Sequence, residues 1–495
     1  MAPCRMLNQI PRELVDWKNN MAHEVNRLFP CIGHLPSLLN ITPNVAIVQA
    51  LLEFWDPDSS VFRFGECELT LTLEEIEGLL QVPGKGHPMV YPMNGTREQF
   101  CKFLGLKQFS MSQHPDVRSC PLEFLYKRFG EKESYDHHHE DFFVSREQWE
   151  EKRVLAFGIT LINLLLFPKK HGKVTFSTVN MVQSVFLGIR GKTPTLVPVI
   201  IADIFAAVTE CRKKRGFFYA SNLVLQIWVM EHLSKRTLNP LGSCLPTANW
   251  VESHRERVRK YYRIESPSLF IQEFNALTSD KIQWVLDWTK VRDPAFRTTQ
   301  LDFIPLASTG GLIVYVPQRV MRQFGYPQRV PTIQRMGSIE LNTVTECQTM
   351  VLEAWGNLCS LDNLHLDQVN KVEPKVVLEY NEWIKSIMEQ GRERASLVSL
   401  SLEEQNEKLR KELENRQLQI MVADQALEDA RSQLKKEAKK TENLEKALSA
   451  FGKIQDEIRK LSIGSSRESQ HTKLARHEDF VRMVSRTINE IVKKD

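Results

Sequence analysis

LTLEEIEGLLQVPG, residues 71–84, carries a helix start, body and stop in one run. Thr72 can cap the helix with its hydroxyl, and Glu75 three residues on completes a capping box. Leu71 and Ile76 occupy the two positions of a hydrophobic staple. Ile76, Leu79 and Leu80 recur at helical spacing and point to a core, and Pro83-Gly84 predicts the stop. Working outward, Val61 to Leu69 (VFRFGECEL) reads as a hairpin turning at Gly65-Glu66, because glycine supplies the positive φ of a two-residue turn. Before it, Val45, Ile47, Val48, Leu51 and Leu52 mark a helix over 43–54. After it, apolar periodicity predicts helices at about 147–166, 178–188, 197–213, 219–236, 268–276 and 342–359. Strand-like material is confined to the hairpin and Leu312 to Val316. The fold class is mainly α: a large helical globular domain with a minor β-hairpin, followed by a long coiled-coil helix.

The 495 residues hold 65 Lys+Arg against 61 Asp+Glu, a formal net charge of +4, with 42% hydrophobic residues. That balance excludes a disordered chain and a binder that coats nucleic acid by bulk charge. The nine cysteines never form a C-x-x-C pair, so a disulfide scaffold is not expected and a reducing compartment is. The N-terminus lacks an apolar signal region. The longest apolar run, Val154 to Phe167, contains Asn163 and falls short of the ~20 residues that span a bilayer, so it predicts a buried core helix and no membrane partner.

Composition changes near residue 390. After Pro374 there is no proline, and Leu, Glu, Lys, Gln and Ala dominate, which favours long helix. A seven-residue period follows. One line reads Leu413, Ile420, Leu427, Leu434, Thr441, Leu448; the other reads Leu402, Leu409, Arg416, Ala423, Ala430, Glu437, Leu444, Phe451, Ile458. Such a seam cannot be buried by one helix and predicts a partner helix. Arg416, Glu437 and Thr441 interrupt it. Residues 401–460 carry 13 basic and 13 acidic side chains, which suits solvated coiled-coil faces rather than a one-signed nucleic-acid arm. The competing reading is a single solvated helix held by i,i+4 ion pairs. Three segments result: a globular domain over 1–390, a coiled coil over 391–463, and a short amphipathic helix over 464–495 carrying Leu474, Val481, Val484, Ile488 and Ile491.

Local chemistry is sparse. Gly191-Lys192-Thr193 resembles the end of a phosphate-binding loop, but Phe186 stands where its first glycine is required. His137-His138-His139 with Asp136, Glu140 and Asp141 offers metal-ligand types, yet adjacent side chains cannot converge on one ion from regular structure. Arg212-Lys213-Lys214-Arg215 is the densest basic run. It reads as favourable charge at a helix C-terminus or as a phosphate-contacting patch. Trp228, Trp250, Trp284, Trp288 and Trp355 sit at helical spacings and read as core. Ser308-Thr309-Gly310-Gly311 fits neither an aspartic-protease loop nor a nucleophile elbow.

Four blocks occur in order: FWDPDSSVFRFGECELTLTLEEIEGLLQVPGKGHPM (54–89), LLLFPKKHGKV (164–174), PVIIADIFAAVTECRKKRGFFYASNLVLQIWVMEHL (198–233) and FIPLASTGGLIVYVPQRVMRQFGYPQRVP (303–331). Together they resemble the plant mobile domain family, in its retrotransposon-associated branch, over roughly residues 30–385. The resemblance implies a transposable-element origin and a nuclear setting, with cytoplasm as the alternative. Some relatives carry an aminotransferase-like label, but no cofactor-lysine context or alternating βα pattern supports that chemistry here. The resemblance supplies no catalytic residues.

The expectation is a non-catalytic interaction protein without cofactor, metal or small-molecule substrate. It associates through 395–462 with a second copy or another coiled-coil protein. The alternative is a nucleic-acid-binding module contacting phosphates through Arg212, Lys213, Lys214 and Arg215.

Overall fold

The computed structural model describes residues 6–492 except 108–115, 117, 170–171, 215–216, 235–249, 290–292, 334–343, 362–374, 399–401 and 464–469; for 22, 213–214, 344–346, 391–409, 461–474 and 490–492 it gives the backbone alone. Most of the described residues are helical, and the strands are few and short. Two units divide at Gln390/Gly391.

In unit 1, α1 (Arg12–Met21), α2 (Phe29–Ile32) and α3 (Val45–Leu52) precede a small sheet of β1 (Trp55–Asp56), β2 (Val61–Phe64) and β3 (Cys67–Leu69). Then come α4 (Leu73–Leu80), α5 (Arg97–Leu104), β4 (Ser119–Pro121), α6 (Leu122–Phe129), α7 (Ser134–His138), α8 (Arg146–Leu161), β5 (Lys173–Thr175) and α9 (Val179–Leu187). The long apolar helices α10 (Val197–Lys214) and α11 (Asn222–His232) lead to α12 (Trp250–Arg257) and α13 (Pro267–Asn275). Strands β6 (Ala295–Thr298), β7 (Ile304–Ser308) and β8 (Gly311–Tyr315), helix α14 (Val344–Gly356) and β9 (Leu358–Ser360) follow, and the unit boundary falls within α15 (Leu378–Val398).

The helix over 71–84 forms as its sequence dictates. Thr72 Oγ1 accepts from Glu75 N at 3.2 Å, and Glu75 Oε2 accepts from Thr72 N at 3.2 Å, a closed capping box. Leu71, Ile76, Leu79 and Leu80 are buried. The stop differs from expectation: the helix ends at Leu80, and Gln81 turns the chain at φ 52°, ψ 40°, its side-chain amide donating to the Gly78 carbonyl at 2.7 Å. A polar side chain that satisfies the last turn makes the left-handed cap tolerable two residues before Pro83. Gly78 is required for packing, since a Cβ there would lie 2.1 Å from the Trp288 carbonyl oxygen.

The hairpin pairs Phe62 with Leu69 and Phe64 with Cys67, with Gly65 at φ 55°. It is one of four small antiparallel sheets among the described residues: β1-β2-β3, β4-β5, β6-β9 and β7-β8. The strand expected over Leu312 to Val316 is found as β8, in a second hairpin with β7, whereas the β4–β5 and β6–β9 pairs were not expected, because three or four residues with distant partners show too little alternation to read. Trp55, Phe62, Phe205 and Trp228 form a continuous aromatic packing between sheet, α10 and α11. The run from Val154 to Phe167 is buried apart from half-buried Leu155, and its helix widens into a π turn at Ile162–Leu166. Asn163 explains that turn: its amide donates to Ile159 O and Thr178 Oγ1, and its oxygen accepts from Thr175 N and Oγ1. Among the described residues no helix is long and apolar enough to cross a membrane.

In unit 2, α16 (Leu402–Ile463) is one uninterrupted helix, and α17 (Gln470–Val492) packs against it.

Candidate functional site

Unit 1 buries several charged side chains, tied to distant parts of the chain. Glu75, besides its capping role, accepts from Trp228 Nε1 at 2.9 Å and from Gln323 Nε2 at 2.8 and 3.0 Å. His232 Nδ1 lies 2.6 Å from the Gln283 carbonyl, which can only accept, so this nitrogen carries a proton. His232 Nε2 approaches Glu75 Oε1 at 3.2 Å, close but too poorly directed to form a hydrogen bond. Glu68 receives Arg319 at 2.7 Å and Arg63 at 2.8 Å, with Arg63 also on Asp56. Glu231 meets His254 at 2.6 Å and Arg257 at 2.8 Å. Burial pushes the Glu231 carboxyl up, but these two partners outweigh it and hold it below the usual carboxylate range. Asp203 accepts from the Thr309 backbone and hydroxyl, which fastens the β7–β8 turn to α10; burial raises it to about 6 against those bonds and Lys169.

These groups bind chain to chain. Clefts of about 580, 560 and 380 Å³ are lined around Asn8–Ile10 and Thr42, around Arg12 and Pro168, and around Thr299 and Met350. None of Glu74, Glu75, Asp203, Glu231, His232 and His254 lines them. Local motif reading missed five of them and read Glu75 only as a helix cap. The available signal was a charge inside an otherwise apolar helix, as with Asp203 in PVIIADIFAAV and Glu231-His232 ending α11, since such a charge must have a buried partner.

Among the sequence-singled residues, Trp228, Trp250, Trp284, Trp288 and Trp355 are buried. Ile189 to Lys192 is a tight turn with Arg190 and Gly191 at positive φ. His137 and His139 are exposed on α7 and the turn after it, and no group of three or more metal-ligand side chains gathers among the described residues. Arg212 donates to Glu53 Oε2 at 2.7 Å and to the Leu52 carbonyl. Lys213 and Lys214 end α10 with only their backbone described, and Arg215 lies outside the described residues. Cys211 is disulfide-bonded, and Cys31, Cys67, Cys120 and Cys359 are free thiols. Spacing alone could not show this, because pairing depends on where the fold brings two thiols together.

The heptad seam presents a different situation. Leu413, Ile420, Leu427, Leu434, Leu444 and Leu448 are between 52 and 69% exposed, with Phe451 at 62%. Leu402 and Leu409 lie on the same helix, their side chains outside the description. The helix also carries short-range ion pairs, Glu412–Arg416, Glu428–Arg431, Glu442–Lys446 and Glu457–Lys460. Such exposed pairs are weak and screened by salt, whereas burying one leucine side chain contributes about 1.5–3 kcal/mol. Covering the apolar seam would therefore contribute more than these ion pairs do. Helix α17 does not cover it. Among the described side chains, the half-buried ones of α16 are Asn443, Ala447, Ala450, Ile454 and Glu457, beside the seam, and those of α17 are Phe480, Met483, Val484 and Thr487. Of the expected apolar set of α17, Val481 and Ile488 are about half exposed and Val484 is half-buried, while the side chains of Leu474 and Ile491 lie outside the description.

Fold and surface define a mainly α globular domain with a long helix whose apolar face is open. The chain belongs to the family described as a domain of unknown function, DUF7745, which matches residues 14–389. No curated protein is significantly similar to it. No solved structure is either.

Proposed function

We propose that this chain is a non-catalytic interaction protein: a helical domain coupled to a coiled coil that pairs with a second copy or another helix. The observation that carries the reading is the line of Leu413, Ile420, Leu427, Leu434, Leu444 and Leu448, exposed along one continuous helix. A helix of this length with an open heptad seam gains more by association than by its own ion pairs. The resemblance to the plant mobile domain family, and with it a transposable-element origin and a nuclear setting, belongs to the same proposal and rests on the four sequence blocks. The nucleic-acid reading has less behind it, because Arg212 is engaged by Glu53.

The test is sedimentation of the full-length chain beside a Leu427→Asp/Leu434→Asp variant. Self-association of the parent that the variant loses, with the unfolding of unit 1 unchanged, is the expected result. A parent chain that is monomeric at high micromolar concentration and captures no coiled-coil partner contradicts the reading.

A further inference from the structure

We infer that the partner of α16 is a second copy of the same helix running antiparallel, in one defined register. This rests on the interaction reading above and specifies its geometry.

The argument starts from the two charges inside the seam. Arg416 and Glu437 occupy equivalent positions of the heptad three repeats apart, and Arg416 is exposed. A parallel, in-register pair would set Arg416 against Arg416 and Glu437 against Glu437 in its core layers, where like charges oppose each other. An antiparallel pair instead mixes the two seam lines in every layer. Aligning Leu427 with Ala430 of the second copy then sets Ala423 against Leu434, Ile420 against Glu437, Arg416 against Thr441 and Leu413 against Leu444. Each alanine meets a leucine, so large and small side chains alternate across the seam. Arg416 and Glu437 of the second copy fall on adjacent layers, about 6 Å apart along the axis, within reach of an arginine side chain.

The flank gives an independent observation. In this register Asp424 lies beside Arg431 of the second copy, and Arg410 beside Glu445. By the twofold symmetry of the pair each contact occurs twice. All four side chains are exposed on α16. Sliding the alignment by one heptad in one direction brings Asp424 against Asp424, and in the other direction Arg431 against Arg431. The parallel arrangement places Gln419 beside Asp424 and Ala426 beside Arg431, with no charge partner for either. Only the stated register matches opposite charges at both flank positions. The flank that carries Asp424 and Arg431 is also the side away from Asn443, Ala447, Ala450, Ile454 and Glu457, the half-buried line of α16. Seam and charged flank are thus open together.

The experiment uses the full-length chain with Asp424→Arg, with Arg431→Asp, and with both, measuring the dimer dissociation constant by sedimentation equilibrium near physiological salt. In the antiparallel register each single substitution turns two attractive contacts into two repulsive ones, raising Kd on the order of tenfold. The double substitution exchanges the charges and restores Kd to within about threefold of the parent. The difference shrinks in about 1 M salt, where the Debye length falls to about 3 Å. Equal dissociation constants for all four chains, with the parent dimeric, overturn the antiparallel register while leaving self-pairing intact. A trimeric parent overturns it as well. A monomeric parent overturns self-pairing itself.

Discussion

Glu74 supplies a sharp test of how unit 1 is held together. It sits in the first turn of α4, fully buried, with Oε1 accepting from the Ala295 backbone at 2.7 Å and Oε2 lacking a hydrogen-bond partner. Burial pushes its carboxyl up to about 8 from an ordinary 4.5; the bonds from Ala295 and from its own backbone oppose this, and the charges of Glu77 and Glu75 add to it. At ~1.4 kcal/mol per pH unit, ionising Glu74 inside the fold costs on the order of 4–5 kcal/mol. The sign follows from proton linkage. Below about pH 4.5 both folded and unfolded chains hold the proton, and nothing is lost. Between 4.5 and 8 only the folded chain holds it, so stability falls as pH rises; above 8 both are ionised and the dependence levels off. Glu74→Gln keeps the acceptor for Ala295 and removes the titration. In urea unfolding followed by tryptophan fluorescence, the variant should match the parent near pH 4.5. Its advantage should grow steadily to several kcal/mol by pH 8.5. A variant that is equally or less stable at every pH would refute the argument that Glu74 is a neutral acid in the fold.

Asp203→Asn should behave similarly over a lower window: its carboxyl is raised by burial from 3.8 to about 6. The variant should equal the parent near pH 4 and gain roughly 1–3 kcal/mol by pH 7, read from the same unfolding curves. Glu68→Gln removes the countercharge of buried Arg319, bonded at 2.7 Å. It should cost about 3–5 kcal/mol, and a loss below about 1 kcal/mol would show that the pair is not desolvated. Thr72→Ala opens the capping box at one end and should cost about 1 kcal/mol, seen as a melting temperature lowered by a few degrees in calorimetry.

The parts legible in the sequence were those whose information is local. Thr72 and Glu75 stand three residues apart, so the cap could be read directly, and Gly65 announced the hairpin by the backbone conformation it permits. Asn44 likewise caps α3 by accepting from Ile47 N, at a start placed one or two residues from where periodicity put it. The β6–β9 pairing was not legible, because Ala295 meets Ser360 across a long separation and three or four residues carry no clear alternation. The second role of Glu75 was hidden for the same reason. Its capping geometry is local, but Trp228 and Gln323 arrive from far along the chain. Only the fold reveals that one carboxylate serves both. The seam was legible as a pattern. Its openness, and the position of α17 beside rather than over it, required the structure.

The most direct measurement of the central claim is the mass of the full-length chain in solution by light scattering across a dilution series. The account predicts a species of twice 57.3 kDa at micromolar concentration that falls toward one chain on dilution. A mass of 57.3 kDa at every concentration, with the α16 helix still formed by circular dichroism, would contradict it.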